Sequence, residues 1–101
     1  MAGMLTLAAL AADPDRFHMI DVRDAEDYAV AHVAGAVHIP LAELAKRARE
    51  IPASKTPVTI CSKGGSRSAE GADFLRESGH TDALGLEGGT KGWRARYKQD
   101  G

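Results

Sequence analysis

The sequence predicts an α/β domain built around a mainly parallel sheet. Short apolar runs rich in β-branched residues alternate along the chain with segments of helical periodicity, which is the pattern of strands joined by crossover helices. Proline and glycine mark the boundaries at regular intervals, and the chain contains no repeat, low-complexity tract or linker. With 101 residues, the chain suits one small domain over residues 1–101.

The first half of the chain predicts two strands and three short helices. Thr6 and Asp24 are residue types whose side chains accept a hydrogen bond from a first-turn amide, so each is a predicted N-cap. Pro40 closes the second strand, because proline cannot donate a hydrogen bond to a sheet. In chain order we expect a capped helix over 7–11, a strand over 17–22, a helix from Asp24 to about Val30, a strand over 35–39, and a helix with Leu41, Leu44, Ala45 and Ala48 on one apolar face.

The second half predicts two further strands and two helices. The β-branched content of residues 58–60 predicts a buried strand, and Gly79 stands where a C-terminal helix cap belongs. We also expect a helix after residue 67 with Ala69, Ala72 and Leu75 on one face, a weak strand over 83–86, a turn at Gly88-Gly89, and a last helix capped by Thr90 and anchored in the core by Trp93.

Composition argues against several classes of partner. The 13 basic and 14 acidic residues give a formal net charge of −1, so bulk charge does not indicate binding to nucleic acid or to an anionic membrane. The apolar stretch near the N-terminus has no basic residue before it and is followed by Asp13 and Asp15. It is not typical of a signal peptide and is too short to span a bilayer. One cysteine permits no internal disulfide, which fits a reducing compartment, and we expect the cytoplasm.

The segment from Cys61 to Arg67 combines four features that favour anion chemistry. Cys61 follows a predicted strand, and ligands bind beyond the carboxyl ends of strands in parallel sheets. Gly64 and Gly65 permit backbone conformations closed to other residues. A helix then begins, and its first amides lack partners within the helix. Lys63 and Arg67 add positive charge to the same loop.

These features together predict an activated thiolate inside an anion-binding loop. A nest of amides and the helix dipole both favour an anion, so we expect the pKa of Cys61 to lie below that of a free thiol, with Lys63 and Arg67 acting in the same direction. The same nest would hold an oxyanion such as thiosulfate, phosphate or arsenate, since a guanidinium meets two such oxygens at once. A lone cysteine after a buried strand is usually an inert core residue. The conjunction with Arg67 favours the reactive interpretation.

At this point the sequence resembles the rhodanese family, over nearly the whole chain. The resemblance is carried by Ile20-Asp21-Val22-Arg23, Glu26-Asp27-Tyr28, the run from His32 to Pro40, the loop from Cys61 to Arg67-Ser68, Leu86-Glu87-Gly88-Gly89, and Gly92-Trp93. It implies a three-layer rhodanese-like α/β fold, in which a five-stranded, mainly parallel sheet is flanked by helices.

The resemblance also implies a reaction. The Cys61 thiolate would take the sulfane sulfur of a donor such as thiosulfate, release sulfite, and pass the sulfur as a persulfide to a thiol, to cyanide in an assay, or to a sulfur-accepting protein. The two half-reactions would give ping-pong kinetics. The donor and the persulfide anion would be bound by Ser62, Lys63, Gly64, Gly65, Ser66 and Arg67.

Loop length keeps alternatives open. Five residues separate Cys61 from Arg67, where common sulfurtransferases of this type have four. The longer loop is similar to that of rhodanese-fold phosphatases and arsenate reductases, although Ile60 stands where those enzymes usually carry histidine. A third hypothesis is a non-catalytic partner module, against which the presence of both Cys61 and Arg67 argues. A gain of one sulfur atom on incubation with thiosulfate would favour the sulfurtransferase.

Several other polar residues are expected to be structural. Asp21 and Arg23 end a strand and predict a salt-bridged scaffold. The acidic and basic residues of the helix after the loop predict its solvated face, at Glu70, Asp73, Arg76 and Glu77. No metal-ligand spacing is present, so we expect no metal or other cofactor, and a structural or exposed role for His18, His32, His38 and His80.

Overall fold

A computed structural model describes residues 3–97 as a five-stranded sheet in which all strand pairs are parallel, flanked by helices. The strand order is β1-β5-β4-β2-β3. The strands are β1 (Gly3–Leu5), β2 (Phe17–Asp21), β3 (Val37–His38), β4 (Thr56–Ile60) and β5 (Leu84–Leu86). The helices are α1 (Leu7–Ala12), α2 (Ala25–Val30), α3 (Leu44–Arg47), α4 (Ser66–Glu77) and α5 (Gly89–Tyr97). The predicted α/β fold with a parallel sheet is confirmed.

The central strand β4 is buried on both faces, as its run of β-branched residues predicts. Val58 and Ile60 pack into an apolar cluster with residues of α1 and α5, including Trp93. Thr59 points to the opposite face, where its hydroxyl donates to the Ser68 carbonyl at 2.6 Å. On that face a second cluster joins α3 and α4. Two apolar clusters therefore cover the two faces of the sheet.

Helix α4 begins directly behind the cysteine loop and ends as predicted. Its buried face includes Ala72 and Leu75. Gly79 has φ +109°, and the amides that follow the helix bond back into its last turn, with His80 N donating to Leu75 O at 2.9 Å. This is the left-handed termination that glycine permits. The C-terminal end of the helix is thus fixed, and its first turn follows the loop after β4.

Several element boundaries differ from the predictions. Strand β1 was not expected, because three residues carry no periodicity; it pairs in parallel with β5. Strand β3 covers only residues 37–38 of the predicted 35–39. The helix predicted from Leu41 is broken into a 3-10 turn, α3 and a second 3-10 turn. Ala45, expected on its apolar face, is exposed, whereas Leu44 and Ala48 are buried.

The predicted N-caps have three different outcomes. Thr6 caps α1, since its hydroxyl accepts from the Ala9 amide at 3.1 Å. Asp24 occupies the N-cap position of α2, but its side chain makes no capping hydrogen bond. The prediction that Thr90 caps the last helix is wrong, because α5 begins one residue earlier, at Gly89. The Thr90 amide is used in the tertiary structure instead.

Candidate active site

The loop after β4 brings the predicted site residues to the carboxyl end of the sheet. Cys61 follows the last residue of β4, and its side chain is 5% exposed. The Gly65 amide donates to its Sγ at 3.2 Å. A small open mouth of about 310 Å³ lies over the sulfur and is lined by Cys61, Ser62, Lys63, Gly65, Ser66 and Arg67.

The loop is held from the other side by the start of α5. The Thr90 amide donates to the Cys61 carbonyl at 2.8 Å, and the Lys91 amide donates to the Ser62 carbonyl at 3.0 Å. These two carbonyls are therefore satisfied on the side of α5. The amides of Gly64 and Gly65 remain for the sulfur. In this loop the carbonyl groups therefore point toward α5, and the amide groups point toward the thiol.

The two loop glycines differ in what they contact. Gly64 has φ +75°, and a Cβ there would overlap the backbone nitrogen of Gly88 and lie 2.7 Å from the Leu86 carbonyl oxygen. Gly64 is therefore the one predicted site residue that does not line the mouth: it packs down against the turn before α5. Gly65 has no positive φ, and a Cβ there would meet nothing within 4 Å.

The environment of Cys61 lowers its pKa. Burial alone would raise the pKa, because it disfavours the thiolate. Hydrogen bonds from the Ser68 hydroxyl, the Ser68 amide and the amides of Gly65 and Gly64 outweigh burial and hold the pKa below the ordinary value of a thiol. The direction agrees with the sequence-based expectation of an activated thiolate.

Ser68 is a site residue that the sequence analysis did not single out. It is fully buried in the first turn of α4, and its hydroxyl donates to the Gly65 carbonyl at 3.0 Å. The same hydroxyl lowers the pKa of Cys61. It has a single proton, so the two acceptors compete for it. The available signal was helix geometry: side chains tilt toward the N-terminus of a helix, so a serine one turn into α4 faces back to the loop.

Lys63 and Arg67 provide the charge at the mouth. Both are exposed, and within residues 3–97 neither side chain makes a hydrogen bond or an ion pair. Arg67 lies in the first turn of α4 and lines the mouth. Two cationic side chains without a partner among the described residues therefore line the same opening as the Cys61 thiol.

The neighbouring corner, after β2, is a closed scaffold, as predicted for Asp21 and Arg23. Both residues are buried, and Arg23 grips Asp21 through two nitrogens, with Nη2 to Oδ2 at 2.8 Å and Nε to Oδ1 at 3.0 Å. Arg23 Nη2 also donates to the Ala31 carbonyl at 2.5 Å. The hydrogen bond with Asp21 raises the pKa of Arg23. Nε and Nη2 of Arg23 are therefore engaged in hydrogen bonds within this corner.

Most of the other polar residues have the structural roles expected of them. Three histidines bond to backbone carbonyls, His32 to Tyr28, His38 to Arg23 and His80 to Ala48. Glu70, Asp73 and Glu77 are exposed, but Arg76 is half-buried and donates to the Ala83 carbonyl. Among residues 3–97 no cluster of potential metal ligands occurs, and none of the helices described there is long and apolar enough to cross a membrane.

Comparison with known proteins places the chain in a family. The model of the rhodanese-like domain matches residues 6–96. The uncharacterized protein YqhL of Bacillus subtilis is 38% identical over 79% of this chain and 63% of its own length. The thiosulfate sulfurtransferase GlpE of Pseudomonas fluorescens is 33% identical over 78% of this chain and 72% of its own length.

Solved structures show the same fold. A rhodanese-related protein from Thermoplasma volcanium superposes with a TM-score of 0.84 at 25% identity, covering 94% of this chain and 93% of that one. Some relatives are larger: across four proteins that are 33% to 38% identical, the chain spans between 21% and 63% of their length. The matched model, the relatives and the parallel sheet agree, and the chain belongs to the rhodanese-like domain family.

Proposed function

We propose that this chain is a sulfurtransferase that carries sulfane sulfur as a persulfide on Cys61, with thiosulfate or a persulfide as donor and a thiol as acceptor. The observation that carries the proposal is a buried thiol whose pKa is lowered by an amide cradle, beneath a mouth with two unpaired cations. The similarity to GlpE, a thiosulfate sulfurtransferase, supports this donor. A thiolate carrier and a thiol acceptor both suit the reducing cytoplasm.

In the first half-reaction, Lys63 and Arg67 hold the oxyanion end of thiosulfate and leave its outer sulfur above Cys61. The Cys61 thiolate attacks that sulfur, a bond forms between the two sulfur atoms, and the sulfur–sulfur bond of thiosulfate breaks. The bonding electron pair leaves with sulfite. A monoanion and a dianion react, and a persulfide monoanion and the sulfite dianion result, so no oxidant or proton is consumed. The amides of Gly64 and Gly65 then stabilise the persulfide anion.

In the second half-reaction, an acceptor thiolate attacks the outer sulfur of the persulfide. The bond from that sulfur to Cys61 Sγ breaks, and its electron pair returns to Sγ, which regenerates the thiolate. The acceptor leaves as a persulfide anion, and cyanide would leave as thiocyanate. Because sulfite departs before the acceptor reacts, the scheme is ping-pong.

The composition of the mouth favours sulfur transfer over the alternative phosphatase. Hydrolysis of a phosphate ester expels an alkoxide, which an enzyme usually protonates with a positioned carboxyl or imidazole group. The six residues that line the mouth include neither group. Sulfite is a stable anion and leaves without a proton. The five-residue loop remains the feature that suits a tetrahedral oxyanion, so the two activities need a direct comparison.

The proposal is tested by measuring thiosulfate–cyanide turnover and aryl phosphate hydrolysis side by side at one enzyme concentration. We expect thiosulfate turnover, no phosphate hydrolysis, and a mass increase of one sulfur atom on Cys61 after incubation with thiosulfate. Cys61→Ser should abolish turnover, because a hydroxyl has no comparable anionic form at neutral pH, and should keep the circular dichroism spectrum. Phosphatase activity that exceeds sulfur transfer and disappears in Cys61→Ser would reverse the assignment.

A further inference from the structure

A groove runs from the mouth along the outer side of α4. It has a volume of about 450 Å³ and lies between α4 and the chain that follows β3. Arg67 borders both the mouth and the groove, so the two are adjacent. We call it the α4 groove; its lining includes Asp24, Leu41, Ala45, Arg67, Glu70 and Phe74.

We propose that the α4 groove binds an extended segment of a protein acceptor, one with an apolar and a basic residue beside the accepting cysteine. The inference rests on the proposed function and adds the class of acceptor. Neither thiosulfate nor cyanide needs the groove, since each fits within the mouth. The groove therefore has room for the part of an acceptor that is not the thiol.

Its length matches a peptide rather than a single amino acid. Arg67, Glu70 and Phe74 follow one another at helical spacing on the same side of α4. From Arg67 to Phe74 the helix rises by roughly 10 Å at 1.5 Å per residue. An extended chain covers that distance with about three residues. A thiol at one end of such a segment would lie at the mouth.

Its surface has the chemistry of a peptide site. Phe74 is 36% exposed, which makes it one of the few large apolar side chains that face solvent, and Ala42 and Ala45 are exposed across from it. These groups would bury the apolar side chain of an acceptor. Ala45 belongs to the sequence pattern of an apolar helix face, and its exposure in the structure leaves that apolar surface unused by the core.

The charged residues of the groove favour an acceptor segment with positive charge. Asp24 and Glu70 line it, and within residues 3–97 neither carboxylate forms an ion pair or accepts a hydrogen bond. A lysine or arginine of the acceptor would pair with them, whereas an anionic small thiol would be repelled. Arg67 at the junction remains committed to the anion in the mouth.

Two tetrapeptides test the inference with the intact protein. Each is acetylated and amidated; one contains cysteine, leucine and two lysines, and the other contains cysteine, serine and two glutamates. The protein is first loaded with thiosulfate, and transfer to each peptide is followed by mass spectrometry. We expect kcat/KM to be about tenfold higher for the basic, apolar peptide, as two weak contacts would give.

Variants along α4 locate the effect. Phe74→Ser and Glu70→Lys should each lower kcat/KM for the basic peptide about fivefold and leave thiosulfate–cyanide turnover unchanged. Glu77→Lys is the matched control, because it makes the same charge change on an exposed residue of α4 outside the groove. Phe74→Leu retains an apolar group and should restore most of the lost peptide transfer.

A binding measurement separates this inference from the proposed function. In the basic peptide, cysteine is replaced by alanine, and its addition is followed by nuclear magnetic resonance; we expect shifts at Leu41, Ala45, Glu70 and Phe74, whether or not sulfur is transferred. Equal transfer to both peptides, faster transfer to glutathione, or shifts elsewhere would overturn the inference while persulfide formation stands. Absence of the persulfide would overturn the proposed function, and the inference that rests on it.

Discussion

Two strand-to-helix corners lie at the same edge of the sheet, and each contains an arginine. After β2, Arg23 is buried and is held by Asp21 and by the Ala31 carbonyl. After β4, Arg67 is exposed, and within residues 3–97 its side chain contacts no acceptor. One guanidinium is held by hydrogen bonds from Nε and Nη2 within the fold, whereas the other makes no hydrogen bond to the described residues.

The comparison shows that the position of an arginine at the edge of the sheet does not by itself determine its role. Both arginines stand where ligands bind in parallel sheets, so position alone would nominate either. Removing one partner of a buried ion pair leaves an uncompensated charge, which is why such pairs are costly to break. Removal of an exposed, unpaired guanidinium leaves the stability of the fold almost unchanged. The predicted salt bridge between Asp21 and Arg23 is confirmed, and the binding role predicted for Arg67 stays a prediction.

The largest predicted effect is that removal of Arg23 lowers stability, whereas removal of Arg67 lowers turnover. Arg23→Ala should lower the free energy of unfolding by about 3–5 kcal/mol, because Asp21 is left buried and unpaired. Arg67→Ala should change it by no more than about 0.5 kcal/mol, yet lower thiosulfate turnover roughly a hundredfold through loss of an anion-holding donor. Urea unfolding and the thiosulfate–cyanide assay measure the two quantities.

Arg67→Lys serves as the control, because it keeps the charge and loses the paired donors. It should recover part of the turnover. Equal destabilisation by Arg23→Ala and Arg67→Ala would mean that the two corners do not differ in the way the structure shows.

A smaller effect is expected from the two adjacent glycines of the Cys61 corner. Gly64→Ala should cost about 2 kcal/mol or more of stability, because its φ is positive and its Cβ would overlap the backbone of Gly88. Gly65→Ala is the matched control and should stay within about 1 kcal/mol, since its Cβ would meet open space. Thermal unfolding and the rate of Cys61 alkylation report both effects. Similar losses in the two variants would contradict the docking of the loop onto the turn before α5.

The smallest effect concerns Ser68. A thiol reacts as its thiolate, so the alkylation rate of Cys61 rises with pH through its pKa, and a lowered pKa moves that rise to lower pH than for free cysteine. Ser68→Ala removes a hydrogen bond that favours the thiolate, so the midpoint should move to higher pH; loss of the bond to Gly65 should cost about 1 kcal/mol of stability. Iodoacetamide rates across pH provide the measurement. An unchanged midpoint would leave the backbone amides as the source of the shift.

Sequence patterns were sufficient where local periodicity and tertiary structure agree. Strands β2 and β4 and helix α4 with its Gly79 end follow from runs of residues that are adjacent in the chain. Strand β1 was not predicted, because it is a strand only through its pairing with β5, about eighty residues away. Thr90 was misassigned for a related reason: Gly89, at φ +58°, starts the helix early, and the amide of Thr90 bonds to Cys61.

The site shows the same division. The stretch from Cys61 to Arg67 is contiguous, so residue types and spacing predicted a thiol beside anion-binding groups, and six of the seven residues line one mouth. The sequence pattern could not show in which direction the peptide groups and side chains of the loop point. Gly64 and Ser68 act from beneath the sulfur, and the carbonyls of Cys61 and Ser62 turn toward α5, because of packing against residues that lie far along the chain.

The two hydrogen bonds from α5 to the cysteine loop set the order in which a newly made chain becomes reactive. The donors, Thr90 and Lys91, are synthesised about thirty residues after Cys61. Until they emerge, the carbonyls of Cys61 and Ser62 lack these two donors, so we expect the loop to take its final orientation only after α5 has docked. We therefore expect a chain cut before Thr90 to have a Cys61 pKa closer to that of an ordinary thiol.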